Sequence, residues 1–195
     1  MYEEKCKQKG RALILNISKV VQHLQSNTYK TTDGLAEDIF LLVSTLTPLI
    51  SVDLFIVDNK SRVLLAYRDD EYCGTGWHIP GGIIRHKEKI EERIQKTAIQ
   101  ELGAEVNFMP QPIKIVQQLL DQRVRDHFIS LLFKCTVTEK FDIERQNYGL
   151  EETTSGYLKW FDEYPNSINE SMNTLVYSQS AYFDFLQEWF KSKKF

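Results

Sequence analysis

The sequence has few cysteines, only three among 195 residues: Cys6, Cys73 and Cys135. No pair has the C-x-x-C spacing of zinc or redox motifs, and an odd count argues against a disulfide framework. We therefore expect free thiols. Cys135 follows an apolar stretch and is best explained by packing. Cys73 is expected in a loop, and a nucleophilic role for it is disfavoured.

Long hydrophobic runs and a strong net charge are also absent. No apolar run approaches the roughly 18 residues that a membrane-spanning helix needs, and the N-terminal residues lack the apolar core and cleavage site of a signal peptide. The formal net charge of −3 provides no basic field for nucleic acid. We expect a cytoplasmic protein with neither a membrane nor a nucleic-acid partner, in which a few local arginines can bind a small anionic substrate.

The length and composition indicate one well-buried domain with an appendage, because 42% of the 195 residues are hydrophobic and 26% are charged. Two apolar stripes at helical spacing, 17–24 and 39–46, predict two helices before Pro48. We expect residues 1–49 to form a helical extension that packs on the core or on a second subunit as a homodimer. A substrate-specificity module is the less favoured alternative. Residues 50–195 are expected to form the main domain.

The pattern changes to strands from Val52 onward. Strands are predicted at 52–57 and 62–67, joined by a hairpin turn, and again at 114–120, 127–136 and 156–161. A helix is predicted from about Lys87 to Leu102, with Gly103 as its stop. A C-terminal apolar stripe is expected to cover the core: Tyr182, Phe185, Leu186, Trp189 and Phe190. Together these elements predict an α/β/α sandwich with a mixed β-sheet.

Residues 81–103 run from a glycine turn into a helix whose apolar stripe ends in a carboxylate. At about 100° per residue, Ile90, Ile94, Ala98 and Glu101 fall in one inward-facing sector. An unpaired charge is costly to bury. Glu101 is therefore predicted to be ion-paired, to lie at the mouth of a cleft or to bind a metal.

The same run resembles the Nudix box, G-x5-E-x7-R-E-U-x-E-E-x-G-U, in which U is aliphatic. Four residues stand at the box spacing: Gly82, Glu88, Glu101 and Gly103. Lys96 replaces the box arginine with the same charge. Thr97 and Gln100 stand where typical members carry metal-binding glutamates, and Ala104 occupies the last aliphatic position. In keeping only the last glutamate as a metal-binding carboxylate, the sequence is similar to the GDP-mannose mannosyl hydrolase branch.

This resemblance extends over roughly residues 50–162. Residues 63–68 and the segment Trp77-His78-Ile79-Pro80-Gly81-Gly82 are similar to the strand and the W-x-x-P-G-G entry of that branch. Residues 126–133 resemble its strand that begins T-H-Y, and residues 157–161 resemble its Y-R-W-L strand. The resemblance implies a Nudix fold and a Mg²⁺-dependent hydrolase that releases a nucleoside diphosphate and a sugar from a nucleotide sugar.

The resemblance also implies roles for individual residues. Glu101 and the carbonyl oxygen of Gly81 would hold one Mg²⁺, which accepts a single protein carboxylate when phosphates complete its octahedral shell. Arg68 would bind the diphosphate during catalysis. The alternatives are a salt bridge for Glu101 and a surface charge for Arg68. Arg85 is a candidate substitute for the branch's arginine after Gly-Gly, where this chain has Ile83.

The general base is open, because residues 142–159 contain no histidine where the branch has its base. His127 and Glu152 are the candidates for a catalytic role, and a structural histidine and a solvated acidic turn are the alternatives. His78 is a further candidate. Trp77 is expected to stack on the nucleobase or to pack in the core.

Three functions remain open from the sequence. The first is the nucleotide-sugar hydrolase with attack at carbon. The second is a pyrophosphohydrolase that attacks phosphorus in a nucleoside diphosphate derivative. The third is a non-catalytic nucleotide-sugar-binding module that dimerises through residues 1–50.

Overall fold

A mixed β-sheet with helices on both faces forms the framework of the protein in a computed structural model, which describes residues 16–26, 34–138, 140–165 and 177–192. The helices are α1 (16–26), α2 (Glu37–Ser44), α3 (Ile90–Leu102), α4 (Ile143–Gln146) and α5 (Phe183–Ser192), with a 3-10 segment at Tyr177–Tyr182 before α5. The strands are β1 (Leu49–Val57), β2 (Val63–Asp70), β3 (Gly74–His78), β4 (Gly81–Ile83), β5 (Val106–Phe108), β6 (Lys114–Leu119), β7 (His127–Val137) and β8 (Leu158–Phe161). The predicted α/β/α sandwich is confirmed.

β1 is the central strand of the sheet. It pairs in parallel with β7 from Leu49 and Phe128 to Ile56 and Cys135, and antiparallel with β2 and β4. The main strand order is β3-β2-β1-β7-β5. β1 is almost entirely buried, and its mostly apolar side chains alternate between the two faces of the sheet.

Alternate residues of β1 contribute to two hydrophobic cores. Phe55 and Val57 pack in the core beneath the C-terminal helix α5, and Phe55 meets Phe185 and Trp189 edge to face. Val52, Leu54 and Ile56 pack in the other core, which includes Ile94, Ala98 and Leu102 of α3. The C-terminal stripe therefore covers the core, as the sequence predicts.

Helix α3 begins at Ile90, later than the expected start near Lys87. Lys87 has a φ of 60°, and the Glu88 carboxylate accepts a hydrogen bond from the backbone N–H of Arg85, so these residues form a turn. The helix ends as predicted, with Gly103 in the left-handed conformation at φ 65°. Ile90 is 38% exposed, so the inward-facing sector begins one turn later than expected.

The two N-terminal helices are less buried than their apolar stripes predict. Helix α2 ends at Ser44, and Leu46, which lies beyond it, is 74% exposed. Leu42 on α2 and Ile17 and Val20 on α1 are also exposed. The division into an extension and a main domain and the proposed homodimer stay predictions. Residues 1–15, including Cys6, lie outside the described residues.

None of the described helices is both long enough and apolar enough to cross a membrane.

Candidate active site

A cavity of about 160 Å³ opens beside Gly81 and Gly82, the glycines of the predicted turn, which lie instead in the short strand β4. It is lined by residues from β1, β2, β3, β4, β6 and β7 and from the loops around them, including Ser51, Asp53, Arg68, Cys73, His78, Gly81, Gly82, Gln118, Phe128 and Ser130. Ligand pockets for whole drug-sized molecules are usually about 300 Å³ or more. This cavity can therefore enclose only one part of a nucleotide-sized substrate.

Asp53 is the buried carboxylate of the cavity. Only 5% of the residue is exposed, and the Tyr182 hydroxyl donates a hydrogen bond of 2.7 Å to its Oδ2. Burial raises the pKa of Asp53 to about 6, although hydrogen bonds from Tyr182 and Ser130 and the charge of Arg68 oppose that rise. Sequence reasoning missed Asp53 and Tyr182. The available signal was a lone carboxylate inside the otherwise apolar strand β1.

A buried chain of polar side chains forms the cavity floor beside Asp53. The hydroxyls of Ser51 and Ser130 lie 2.8 Å apart, and Gln118 donates a hydrogen bond of 3.0 Å to Ser130. Gln118 Oε1 is buried without a hydrogen-bond partner among the described residues. The floor therefore holds an unused acceptor that a substrate hydroxyl can satisfy.

His78 is a neutral histidine in the cavity wall. Burial, together with the positive charge of Arg68, lowers the pKa of His78 to about 3. The backbone of Ala66 lies near the ring and opposes this fall in pKa. Neither ring nitrogen completes a hydrogen bond within the described parts of the chain. The imidazole is thus uncharged at neutral pH and can accept or donate one hydrogen bond to a bound molecule.

Arg68 links the acidic and basic groups around the cavity. Its guanidinium lowers the pKa of Asp53, of His78 and of Glu101, and its Nε lies 3.0 Å from Asp70. Arg68 is therefore coupled electrostatically to a buried carboxylate, a neutral histidine and the box glutamate. Arg68 therefore brings a positive charge into the cavity lining, where it can attract an anionic group.

The two turn glycines fit between the cavity and α3. A side chain at Gly81 would overlap the Asp53 carboxylate, and one at Gly82 would overlap the hydroxyl of Thr97. Glu101 follows Thr97 by one helical turn on the same face of α3. The glycine backbone, Asp53 and the box helix are therefore held close together by direct contact.

Glu101 is a largely buried carboxylate without an ion pair or hydrogen bond among the described residues. Burial raises its pKa, and Arg68 opposes the rise. The described residues contain no group of three or more His, Cys, Asp or Glu side chains that could hold a metal. Glu101 thus offers one carboxylate without a protein partner, the kind of ligand that a hard divalent cation combines with water and phosphates.

Comparison with known proteins places these features in a family, because residues 47–163 match the NUDIX domain. The chain belongs to the Nudix family. It is 31% identical over 77 residues to the low-salt glycan biosynthesis protein Agl8 of Haloferax volcanii, a match that covers 40% of this chain and 49% of Agl8. The chain thus spans about half the length of this curated relative.

Two solved structures support the Nudix fold. A hydrolase of the NUDIX family from Clostridium perfringens has a TM-score of 0.50 at 19% identity, over 75% of this chain and 98% of the other. A MutT NUDIX hydrolase from Burkholderia pseudomallei has a TM-score of 0.52 at 16% identity, over 71% and 97%. These two structures and the match to the NUDIX domain agree on the fold, and Nudix hydrolases generally use divalent metal ions.

Within the Nudix box, Glu88 has a structural position. Its carboxylate accepts hydrogen bonds from Arg93 at 2.7 Å and from Lys96 at 2.9 Å, and only 4% of its side chain is exposed. Burial alone raises the pKa of Glu88, but the hydrogen bonds from Arg85, Lys96 and Arg93 lower it to about 2. Lys96, at the box arginine position, thus forms an ion pair with Glu88.

Replacing Glu88 with glutamine is expected to lower the free energy of unfolding by about 2 kcal/mol at pH 7, because Arg93 would lose its buried charge partner. The folded-state pKa of Glu88 is below its ordinary value of 4.5, so its contribution is complete above pH 4.5 and is lost as the pH falls toward 2. Urea denaturation across this range measures the difference. Glu92→Gln, at an exposed position on α3, is the control. Equal stabilities of the two variants at pH 7 would contradict the prediction.

Two residues predicted from the sequence lie outside the cavity. His127 begins β7, and its Nε2 lies 2.9 Å from Gln117 Nε2 on the side away from Phe128 and Ser130, which line the cavity. The alternation of side chains along a strand explains this separation. Glu152 is half exposed and forms an ion pair with Lys159. Neither residue contacts the candidate site.

The two predicted substrate-binding residues Arg85 and Trp77 also lie elsewhere. The Arg85 guanidinium packs against Gly34 in a second cavity, between α2 and the segment after β4. Trp77 has no exposed surface, and its ring meets Tyr67 and Phe161 edge to face in the hydrophobic core. The packing alternative therefore describes the position of Trp77. Of the predicted site residues, Arg68 and Gly81 line the cavity, and Glu101 is outside its lining but interacts electrostatically with Arg68.

Proposed function

We propose that this Nudix-type hydrolase is Mg²⁺-dependent and cleaves nucleoside diphosphate sugars, with water attacking the anomeric carbon. The observation that supports the proposal is that Arg68, which lines the cavity, interacts electrostatically with two different carboxylates. Glu101 lies on the box helix beside the glycine turn, whereas Asp53 lies buried in the cavity. One carboxylate is available for a cation on the leaving group, and the other is available for the attacking water.

Glu101 and the Gly81 carbonyl would hold the metal, and Arg68 would contact the diphosphate. When bound, Mg²⁺ neutralises charge on the departing diphosphate. Asp53 would receive a proton from water as the water oxygen bonds to the anomeric carbon and the bond from that carbon to the diphosphate oxygen breaks. A carboxylate that acts as general base, together with a leaving group whose charge is stabilised, suits displacement with inversion at the anomeric carbon.

The small size of the cavity supports a sugar as the enclosed part of the substrate. Its floor of Ser51, Ser130 and Gln118 and the unpaired nitrogens of His78 offer hydrogen bonds that suit sugar hydroxyls. The name of the relative Agl8 refers to glycan biosynthesis, a process that uses activated sugars. His127 and Glu152 stay predictions for catalysis, and Asp53 is the better placed base.

The alternative reaction is pyrophosphohydrolysis, with water attacking phosphorus in a nucleoside diphosphate derivative. Membership of the Nudix family favours it at the level of reaction class. Against it, Thr97 and Gln100 replace two of the carboxylates that the box usually supplies on α3. Thr97 is uncharged and is buried against Gly82, so that position offers no carboxylate for a second metal.

A panel of nucleoside diphosphate sugars incubated with the protein and Mg²⁺ tests the proposal. We expect free sugar and nucleoside diphosphate for at least one member of the panel. Sugar phosphate together with nucleoside monophosphate would contradict attack at carbon and favour the pyrophosphohydrolase. Binding without turnover of any member would favour a non-catalytic module.

A further inference from the structure

Arg125, in the connection between β6 and β7, is a second arginine in the cavity wall. It is not part of the Nudix box or of any motif in the sequence. Its Nε is buried without a hydrogen-bond partner, and no carboxylate among the described residues forms a salt bridge with it. A buried guanidinium nitrogen that has no hydrogen-bond partner and no counter-charge among the described residues is unfavourable. An anionic group bound in the cavity would supply the missing counter-charge.

The guanidinium of Arg125 is held in place by two aromatic rings. Its central carbon lies 4.9 Å from the ring centre of Tyr72 and 5.9 Å from that of Phe40, both within cation–π range. Tyr72 belongs to the loop before β3, and Phe40 belongs to α2. The rings orient the planar guanidinium but supply no negative charge, so its hydrogen-bonding edge remains available to a ligand.

The backbone of Arg125 is held in an uncommon conformation. Its φ is 54°, in the left-handed region that a residue with a long side chain rarely adopts. The Ser44 hydroxyl accepts a hydrogen bond of 3.1 Å from its N–H, and Gln122 donates one of 2.6 Å to its carbonyl. Strain of this kind persists where the surroundings impose it, and it is frequent at ligand-binding sites.

We propose that Arg125 binds an oxyanion of the substrate, and that α2 positions it through Phe40 and Ser44. The inference rests on the proposed function for the identity of the substrate. The oxyanion is either a phosphate of the nucleoside diphosphate or the carboxylate of a uronic sugar. The role also gives the N-terminal extension a direct link to the site. Arg125 and Arg68 line the same cavity and would contact the substrate together.

The Arg125→Met variant tests the proposal, because methionine keeps an unbranched apolar stem and removes the charge. Calorimetry with Mg²⁺ and GDP, UDP or UDP-glucuronic acid is expected to show binding at least about tenfold weaker than in the wild type for at least one of these probes. Arg123→Met is the matched control, since Arg123 is exposed two residues earlier in the same connection. It is expected to change affinity by less than about twofold. Arg125→Lys is expected to recover only part of the affinity, because the ammonium lacks the planar stack.

Comparing UDP-glucose with UDP-glucuronic acid identifies the oxyanion. Weaker binding of GDP, UDP and both nucleotide sugars by the variant assigns Arg125 to the diphosphate. A loss of affinity confined to UDP-glucuronic acid assigns it to the sugar carboxylate. Affinities of folded Arg125→Met and Arg125→Lys within about twofold of the wild type for every probe would overturn the proposal. If the wild type binds none of these probes, the proposed function fails as well. If the wild type binds and hydrolyses a nucleotide sugar and the variants do too, only the role of Arg125 fails.

The positioning role of α2 has its own readout. Phe40→Leu is expected to raise KM about threefold with kcat nearly unchanged, because the guanidinium loses one of its two rings. Phe40→Tyr keeps a ring and is expected to retain the wild-type KM. A fall in kcat with unchanged KM in Phe40→Leu, or an equal effect of both substitutions, would contradict positioning through the ring.

Discussion

Replacing Glu101 with glutamine is expected to lower metal-dependent turnover by about a hundredfold or more. Glu101 is the carboxylate of the box helix that has no partner among the described residues, and metal-assisted charge stabilisation supplies several kcal/mol of rate enhancement. Glutamine keeps the size of the side chain and removes its charge. Because burial raises the pKa of Glu101, the neutral amide is expected to leave the metal-free fold as stable or slightly more stable.

Initial rates with and without EDTA, together with the shift in melting temperature on adding Mg²⁺, measure this effect. The wild type is expected to melt at a higher temperature with Mg²⁺ and nucleoside diphosphate, because ligands that bind only the folded state stabilise it. Glu101→Gln is expected to lose that shift. Glu91→Gln, exposed near the start of the same helix, serves as the control. Wild-type rates and a wild-type Mg²⁺ shift in Glu101→Gln would remove Glu101 from the metal site.

The Asp53→Asn variant is expected to lose activity and gain stability at the same time. Asparagine can still accept the hydrogen bond from Tyr182 but cannot take a proton from water, so turnover is expected to fall by about a hundredfold. Burial raises the pKa of Asp53 from 3.8 to about 6, so its ionisation weakens the folded state at higher pH. Removing that ionisation is expected to add about 1 to 3 kcal/mol to the free energy of unfolding at pH 8.

The sign of the pH dependence distinguishes this explanation from a general packing effect. Asp53 binds its proton more tightly in the folded than in the unfolded state, so the wild type loses stability as the pH rises from about 4 through 6. Tyr182, Ser51, Ser130 and Arg68 face the carboxylate and remain in the variant. Urea denaturation in EDTA is therefore expected to show a gap between Asp53→Asn and the wild type that is wide at pH 8 and nearly closed at pH 4. An equal gap at both pH values, or a less stable variant at pH 8, would rule out the ionisation of Asp53 as its cause.

The parts of the site that could be predicted from the sequence lie close together in the chain. The turn glycines, Glu88 with Lys96, and Glu101 belong to one run of about two dozen residues, and helical geometry relates them directly. The helix stop at Gly103 follows from the same local reasoning. The mixed sheet followed from strand patterns and from the resemblance to the Nudix family.

The rest of the site depends on contacts between distant parts of the chain. Asp53 meets Tyr182 129 residues later, and Gln179 makes two hydrogen bonds to the backbone of Ile79 across 100 residues. No local pattern specifies such contacts. His127 shows that a shift of one residue decides whether a side chain reaches the cavity. It stands one position before Phe128, which lines the cavity, and strand alternation directs His127 to the other face of the sheet.

The position of the newly formed bond tests the central claim, because nucleoside diphosphate and free sugar can arise from attack at carbon or at the β-phosphorus. Hydrolysis of the preferred nucleotide sugar in ¹⁸O-labelled water, followed by mass spectrometry of both products, locates that bond. Attack at the anomeric carbon predicts the label in the sugar and none in the nucleoside diphosphate. The control is an incubation of each unlabelled product with the protein in labelled water, which measures exchange alone. Label in the phosphate of the nucleotide product would contradict the account.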